Sequence, residues 1–437
     1  MAFKPIQKLS VNRTLSTGQV VWVGTLAQNS QGIFFQYNEA YLSSFGNLSP
    51  FTLQPTMALQ LAPKAPHNGL HGVFADSLPD GWGLLLQDRV FRQQGILAAQ
   101  LTPLDRLAFV GAKGIGALSY VPESEFIAKN ETDVDLAMLG LEAQKLFDQT
   151  LYDSQEGQTQ KVLAALVAAG SSAGARPKAQ VYWQADQPNR CRTYAQPGDE
   201  AWLVKFTSKN LALGHEEGLC EAVYLQMATE AKCETPRWQL IDAPEESGAI
   251  AWLAVKRFDV ISLTHSHLAR LHTLSACGLL DADFRTPSLD YHDLIKASRQ
   301  ICQSPRMGQL QFRRAVFNLF AANQDDHSKN WSFLQGDNGH WQVAPFYDAT
   351  FSPHPFNEHA TAFDGFGKQP PLISMQKLAV SAGFASWKEA QITIQEVVDS
   401  LRLFSKTAKA FGIKKSTVSA MSQVLDQRLK ENRGLLL

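Results

Sequence analysis

Residues 323–330, NQDDHSKN, place two carboxylates, an imidazole and an ammonium among amides and a hydroxyl, between the apolar runs AVFNLF and WSFL. A surface turn is built from Gly, Pro, Asn, Asp or Ser and has no need of that much charge. The spacing suggests a specific chemistry. Phosphoryl transfer to a hydroxyl needs a base for the hydroxyl proton and an oxygen ligand for Mg²⁺, and one known solution sets an aspartate five residues before an asparagine. Asp325 and Asn330 stand at that separation; Asp326 does not. His327 and Lys329 lie between them, suited to orienting the loop or offsetting phosphate charge. A solvated polar loop of no catalytic consequence has the same composition.

Three further segments fit the same chemistry. In APFYDAT, Asp348 follows two aromatics and a hairpin predicted at GDNG (336–339), where a second hard oxygen ligand for magnesium belongs. In AWLVKFT, alternation puts Trp202, Val204 and Phe206 on one face and Leu203, Lys205 and Thr207 on the other. A lysine in mid-strand is costly when buried unless an anion meets it, although a snorkelling edge lysine fits the same pattern. The next helix supplies Glu221, in the otherwise apolar run LCEAVYLQMA, as a partner for Lys205. The stretch GSSAGARPKAQV (170–181) offers small residues that let backbone N–H groups approach phosphate, with Lys178 adding charge. It lacks the Gly-Lys-Ser/Thr ending of a Walker A loop. VGAKGIGALSY (110–120) reads as a structural turn between helix and strand. The histidines of HSHLARLH (His265, His267, His272) and HPFNEH (His354, His359) lack cysteines or a HExxH frame and read as loop residues.

The elements that must position these groups fall into an α+β order. Strands dominate the first ~125 residues, with QVVWVGTLA and GIFFQYN as a hairpin and a helix from LLLQDRVFRQQ to a cap at Gly95. Helical DVDLAMLGLEAQKLF and TQKVLAALVAAG precede the strands KAQVYWQ, AWLVKFT and GAIAWLAVKRF, which the helix EEGLCEAVYLQMATEAK interrupts. After about residue 290 helices prevail. The predicted units are 1–125, β-rich; 126–260, a small lobe; and 261–437, an all-helical large lobe, in the order of a two-lobed phosphotransferase. The length, 437 residues, suits two or three compact units. A composition 45% hydrophobic and 19% charged indicates a real core. The net charge of −1 gives no general attraction to nucleic acid or anionic lipid. From Leu401 onward eight Lys/Arg face Asp426 and Glu431, which suggests a solvated helix face or a docking surface. Five scattered cysteines without CxxC pairs, no apolar run of membrane length and no leader-like N-terminus predict a cytoplasmic protein.

Taken together, FADSLPDGWG, GAKGIGALSYVPE, SSAGARPKA, WLVKF, VKRFD, NQDDHSKNWS and PFYDAT resemble, in order, the HipA-like serine/threonine-protein kinase toxins of bacterial toxin–antitoxin pairs. The resemblance implies a kinase-like fold with an N-terminal β-rich subdomain. It also implies ATP held by the loop Ala173, Gly174, Ala175, Arg176, Pro177 and Lys178, and by Lys205. A hinge at Lys256, Arg257 and Phe258 would follow, with His327, Ser328, Lys329, Asn330 and Tyr347. Asp325 would be the catalytic base, Glu221 would position Lys205, and Asn330 and Asp348 would hold Mg²⁺. Self-phosphorylation would fall on Ser171 or Ser172 and expel the loop by repulsion from the nucleotide. The implied partners are a HipB-like helix-turn-helix antitoxin, operator DNA through that antitoxin, and an aminoacyl-tRNA synthetase as target. Two other readings stand beside it. One is a metal-dependent hydrolase with Asp325, Asp326, His327 and Asp348 around two metals; the other is an inactive co-repressor acting with its antitoxin.

Overall fold

Alternation in the first forty residues becomes an antiparallel sheet. In the computed structural model, which describes residues 3–127, 133–149, 166–167, 174–185, 187, 190–261 and 268–436, its strands are β1 (Lys8–Thr14), β2 (Val20–Asn29), β3 (Gly32–Tyr37), β4 (Gln60–Leu61) and β5 (Leu118–Val121), in the order β4-β3-β2-β1-β5. Leu9, Val11, Val23, Leu26 and Phe35 line its buried face. The predicted hairpin is β2/β3, with Asn29 opposite Gly32 across a two-residue loop. The helix after LPDGW runs Gly81–Gln93, three residues earlier than its apolar spacing indicates, and ends before Gly95 at φ +74°.

A second sheet runs β10-β11-β9-β7-β8-β6, from β6 (Asp133–Val134), β7 (Lys178–Trp183), β8 (Cys191–Arg192), β9 (Glu200–Lys205), β10 (Trp238–Asp242) and β11 (Ala251–Lys256). One face packs Trp183, Trp202, Val204 and Trp252 against the helix Leu136–Gln149. Gly140 lets that helix close on Trp252, since a Cβ there would meet the indole at 2.2 Å. The opposite face presents Leu203 and Lys205 to a cleft, the division that alternation predicts. The helix Glu217–Glu230 is buried along most of its length, Glu221 included.

The C-terminal part gathers the helices Tyr291–Cys302, Leu372–Ala382 and Trp387–Leu401 around the long Pro305–Ala321. It is not all helical. The hairpin Ser332–Gln335/Trp341–Val343 forms as predicted, and a third strand, His272–Ser275, joins it. His272, expected in a loop, is buried in that strand with Nε2 2.9 Å from the Leu48 carbonyl. A four-residue strand that begins on a polar residue has too few alternations to separate it from loop. His359 does lie in a loop, though buried against Asp326; His265 and His267 lie outside the described residues. No described helix is long and apolar enough to cross a membrane.

Several contacts fasten the N-terminal sheet unit to the C-terminal part, among them a buried arginine and a pair of glycines. Arg13, fully buried, donates from β1 to the Gln335 side chain at 3.0 Å and to the carbonyls of Gln335 and Gly336. Gly72 and Gly278, each in a short helix, meet backbone to backbone: a Cβ on Gly72 would lie 2.2 Å from the Gly278 oxygen. Neither side of that contact has a side chain that can move aside. Gly72→Ala is therefore expected to cost about 1–3 kcal/mol by overpacking. Urea denaturation of the variant beside the wild type measures it, and equal midpoints would show that the contact carries no strain.

Candidate functional site

Lys205 comes from the end of β9, and two carboxylates meet it. Its Nζ is ion-paired with Glu221 Oε1 from the helix Glu217–Glu230 and with Asp348 Oδ1 from the segment after the hairpin. Glu221 Oε2 also faces Arg176 at 3.5 Å, and Arg176 pairs with Glu217 at 2.5 Å. Burial pushes the Lys205 ammonium down, but Asp348 and Glu221 outweigh it and hold it above the ordinary lysine value. Burial likewise raises the Asp348 carboxyl. Lys205, Lys178 and Arg176 reverse that and keep it well below the usual carboxylate range. Asp348 adopts φ +53°, a left-handed conformation that side chains other than Gly, Asn and Asp seldom take. At Lys178, the start of β7, burial outweighs the opposing charge of Asp348 and, helped by Lys205 and Arg176, brings the ammonium down to about 8.

The polar loop separates its adjacent aspartates. Asp326 is buried and fully engaged, accepting from the Tyr291 hydroxyl at 2.5 Å and the Thr361 N–H at 3.1 Å, with His359 Nδ1 at 2.9 Å. Asp325 has its side chain 66% exposed, with His327 Nε2 3.7 Å away. Its N–H donates to Ser352 Oγ at 3.1 Å, and its carbonyl accepts from Asn330 Nδ2 at 2.6 Å. That bond fixes the Asn330 amide and leaves Oδ1 as its end for a cation. Asp326 anchors the loop while Asp325 is presented at its tip. With Asp326 turned into the protein, the four-residue arrangement of a two-metal hydrolase does not form. Among the described residues, no three His, Cys, Asp or Glu side chains gather to hold a metal.

Asp325, His327, Lys329, Asn330, Tyr347 and Asp348 line a single cavity of about 560 Å³ with Lys205, Glu221, Gly174, Ala175, Arg176 and Lys178. Lys256, Arg257 and Phe258 line it too, but the first two have committed side chains. Lys256 pairs with Glu200 at 2.5 Å and Arg257 with Asp259 at 2.6 Å. Phe258 packs on Tyr347, ring centroids 5.5 Å apart. Two predicted contacts stay out of the cavity. Ser328 is buried and donates to the Ala282 carbonyl at 2.9 Å, and the Pro177 carbonyl accepts from Phe206 N–H at 2.9 Å. Ser171, Ser172 and Ala173 lie outside the described residues.

The cavity also has walls that sequence reading missed. Ile115 and Ala117, from the segment read as a plain turn, line it, together with Asp76 and Asp80 of FADSLPDGWG. Asp80 holds Lys329 at 2.8 Å and accepts the Gly174 N–H. Asp76 accepts from Ser275, N–H at 2.5 Å and Oγ at 2.7 Å. LPDGW carries a visible helix start, but nothing local indicates that its carboxylate reaches a lysine 249 residues away.

Comparison with known proteins agrees with this architecture. The family described as the HipA N-terminal domain matches residues 19–121, and that described as the HipA-like C-terminal domain matches 170–413. No curated protein matches the chain in sequence. Among solved structures, HipA of the Shewanella oneidensis MR-1 toxin–antitoxin system, in a complex with HipB and its operator DNA, is 15% identical with TM-score 0.67, covering 97% of this chain and 96% of that one. At that identity the likeness is one of fold. The Helicobacter pylori proinflammatory kinase CtkA is 16% identical over 60% of this chain and 90% of its own, with TM-score 0.36, too slight to bear on the site. The C-terminal match covers more than half of the sequence, and the chain belongs to the HipA-like family.

Proposed function

We propose that this protein is an ATP-dependent serine/threonine-protein kinase and the toxin of a toxin–antitoxin pair. The observation that carries the reading is the convergence of the loop bearing Asp325 and Asn330 with Asp348, from a separate segment, on one cavity that also holds the Lys205–Glu221 pair. The residues present fit the group that this chemistry requires. Asp348 and Asn330 offer hard oxygens suited to Mg²⁺. Arg176, Lys178, Lys205 and Lys329 give the cavity the cations a polyphosphate needs, and Leu203, Val255 and Phe258 give it an apolar wall for a base. Bound Mg-ATP supplies the phosphoryl group and its charge-neutralising cation.

The chain's own residues do the rest by position. Asp325, exposed at the loop tip, takes the proton from an incoming hydroxyl, while its backbone is held on both sides by Ser352 and Asn330. Lys205, fixed by Glu221, would meet the nucleotide phosphates, and Asp348, now paired with Lys205, would with Asn330 hold the Mg²⁺ that neutralises their charge. The family membership and the HipA–HipB–operator complex of a structural neighbour support a helix-turn-helix antitoxin as partner, with operator DNA reached through it. An aminoacyl-tRNA synthetase as target and self-phosphorylation at Ser171 or Ser172 belong to the same proposal. The resemblance of SSAGARPKA to the family's loop supports the second.

Asp325→Asn is expected to lower transfer from radiolabelled Mg-ATP by about 10²–10⁴-fold. The fold should survive, because the side chain is largely exposed. Transfer at the wild-type rate would remove Asp325 from the mechanism. A second expectation concerns pH. Lys178 titrates at about 8 in the nucleotide-free cleft, and a bound polyanion favours its charged form and raises that value. Binding therefore takes up a proton above pH 8, and ATP affinity is level near pH 7 and falls as pH rises past 8. Titration calorimetry in buffers of different ionisation heat reads the uptake, and Lys178→Arg, charged throughout, should abolish it. Equal proton uptake in the two proteins would exonerate Lys178.

A further inference from the structure

Besides Ile115 and Ala117, the N-terminal unit reaches into the cleft through the short segment 76–81. Asp80 stands at the N-cap position of the helix Gly81–Gln93, yet its side chain makes no capping bond to that helix. Its two oxygens go elsewhere. Oδ1 accepts the N–H of Gly174, in the small-residue loop, and Oδ2 holds Lys329, between Asp325 and Asn330, at 2.8 Å. The side chains of both partners are nearly buried, Asp80 at 12% exposure and Lys329 at 13%. The neighbouring residues reinforce the same docking. Trp82 donates its N–H to the Gly174 carbonyl at 2.9 Å and its indole N–H to the Lys178 carbonyl at 2.9 Å. Gly81, at φ +42°, lies so close that a Cβ would meet Ala175 Cα at 2.7 Å. Four residues before Asp80, Asp76 holds Ser275, which caps the helix Ala276–Leu280 that packs against Ser328–Asn330.

One carboxylate thus ties the phosphate-facing loop of the small lobe to the catalytic loop of the large lobe, and it belongs to neither. We propose that Asp80 is a positioning residue for phosphoryl transfer: it fixes Lys329 and Gly174 relative to each other, so that the cleft is complete only with the N-terminal unit seated. This rests on the kinase reading above. Lys329, with its ammonium also 4.4 Å above the Phe284 ring, has one settled place, and the loop that carries Asp325 takes its register from it. Loss of the Asp80 charge frees Lys329 while leaving an acceptor for Gly174. Misplacement on the scale of an ångström costs transfer rate more than ground-state binding.

The test uses the full chain, Mg-ATP and myelin basic protein as a generic acceptor, comparing wild type, Asp80→Asn, Asp80→Glu, Lys329→Met and the Asp80→Asn/Lys329→Met double variant. Asp80→Asn is expected to reduce kcat by roughly 10- to 100-fold, with a smaller change in KM for ATP. Asp80→Glu should recover part of the loss. Because Asp80 acts through Lys329, Asp80→Asn should cost nothing more in the Lys329→Met background. Hydrogen exchange on the nucleotide-free chain reads the same coupling without catalysis: protection at Gly174 and over 325–330 should fall in Asp80→Asn. Unchanged kcat, additive losses or faster transfer in Asp80→Asn would overturn the proposal, and so would unchanged protection. If Asp80→Asn fails to fold, Lys329→Met against wild type decides from the other side, where unchanged kcat overturns it. A wild-type chain that transfers no phosphate would sink the kinase reading itself, a result distinct from an active wild type matched by Asp80→Asn.

Discussion

Lys205 is the interaction around which this molecule is arranged. An ammonium on the inner face of a central strand is tolerated only with anionic company. Here the two carboxylates come from different parts of the chain, Glu221 sixteen residues on and Asp348 from beyond the hairpin, 143 residues away. The triad therefore sets the distance between the second sheet, the buried helix and the C-terminal part. Burial acts on the neighbouring Lys178 as well, and with Lys205 and Arg176 it brings that ammonium down to about 8 against the opposing pull of Asp348.

Much of this was legible in the sequence where physics is local. Alternation in AWLVKFT assigned Lys205 to the face opposite Trp202 and Val204, and the structure has it there. The five-residue separation of Asp325 and Asn330 distinguished Asp325 from Asp326, and the two prove to have opposite environments, one at the loop tip and one enclosed by Tyr291, His359 and Thr361. The hairpin at GDNG was equally plain, because turn residues and flanking aromatics report on their own neighbourhood.

What stayed hidden depends on tertiary placement. Asp76, Asp80, Ile115 and Ala117 sit in segments that read as a helix break and a turn, and only docking of the N-terminal sheet brings them to the cleft. His272 sits in a strand of four residues, too short for period two to register against a loop background. Ser328 fell inside the motif but turns its hydroxyl to a backbone carbonyl, a reminder that a short functional motif includes residues that merely hold it in shape.

Asp348 combines two demands that pull apart. Its backbone occupies a region where glycine rests at lower energy, while its carboxylate is the group that answers Lys205. Any replacement that relaxes the main chain there also deletes the charge, so a backbone gain at this position leaves Lys205 short of one of its two anions. Stabilising selection on this scaffold would have to find its gains elsewhere.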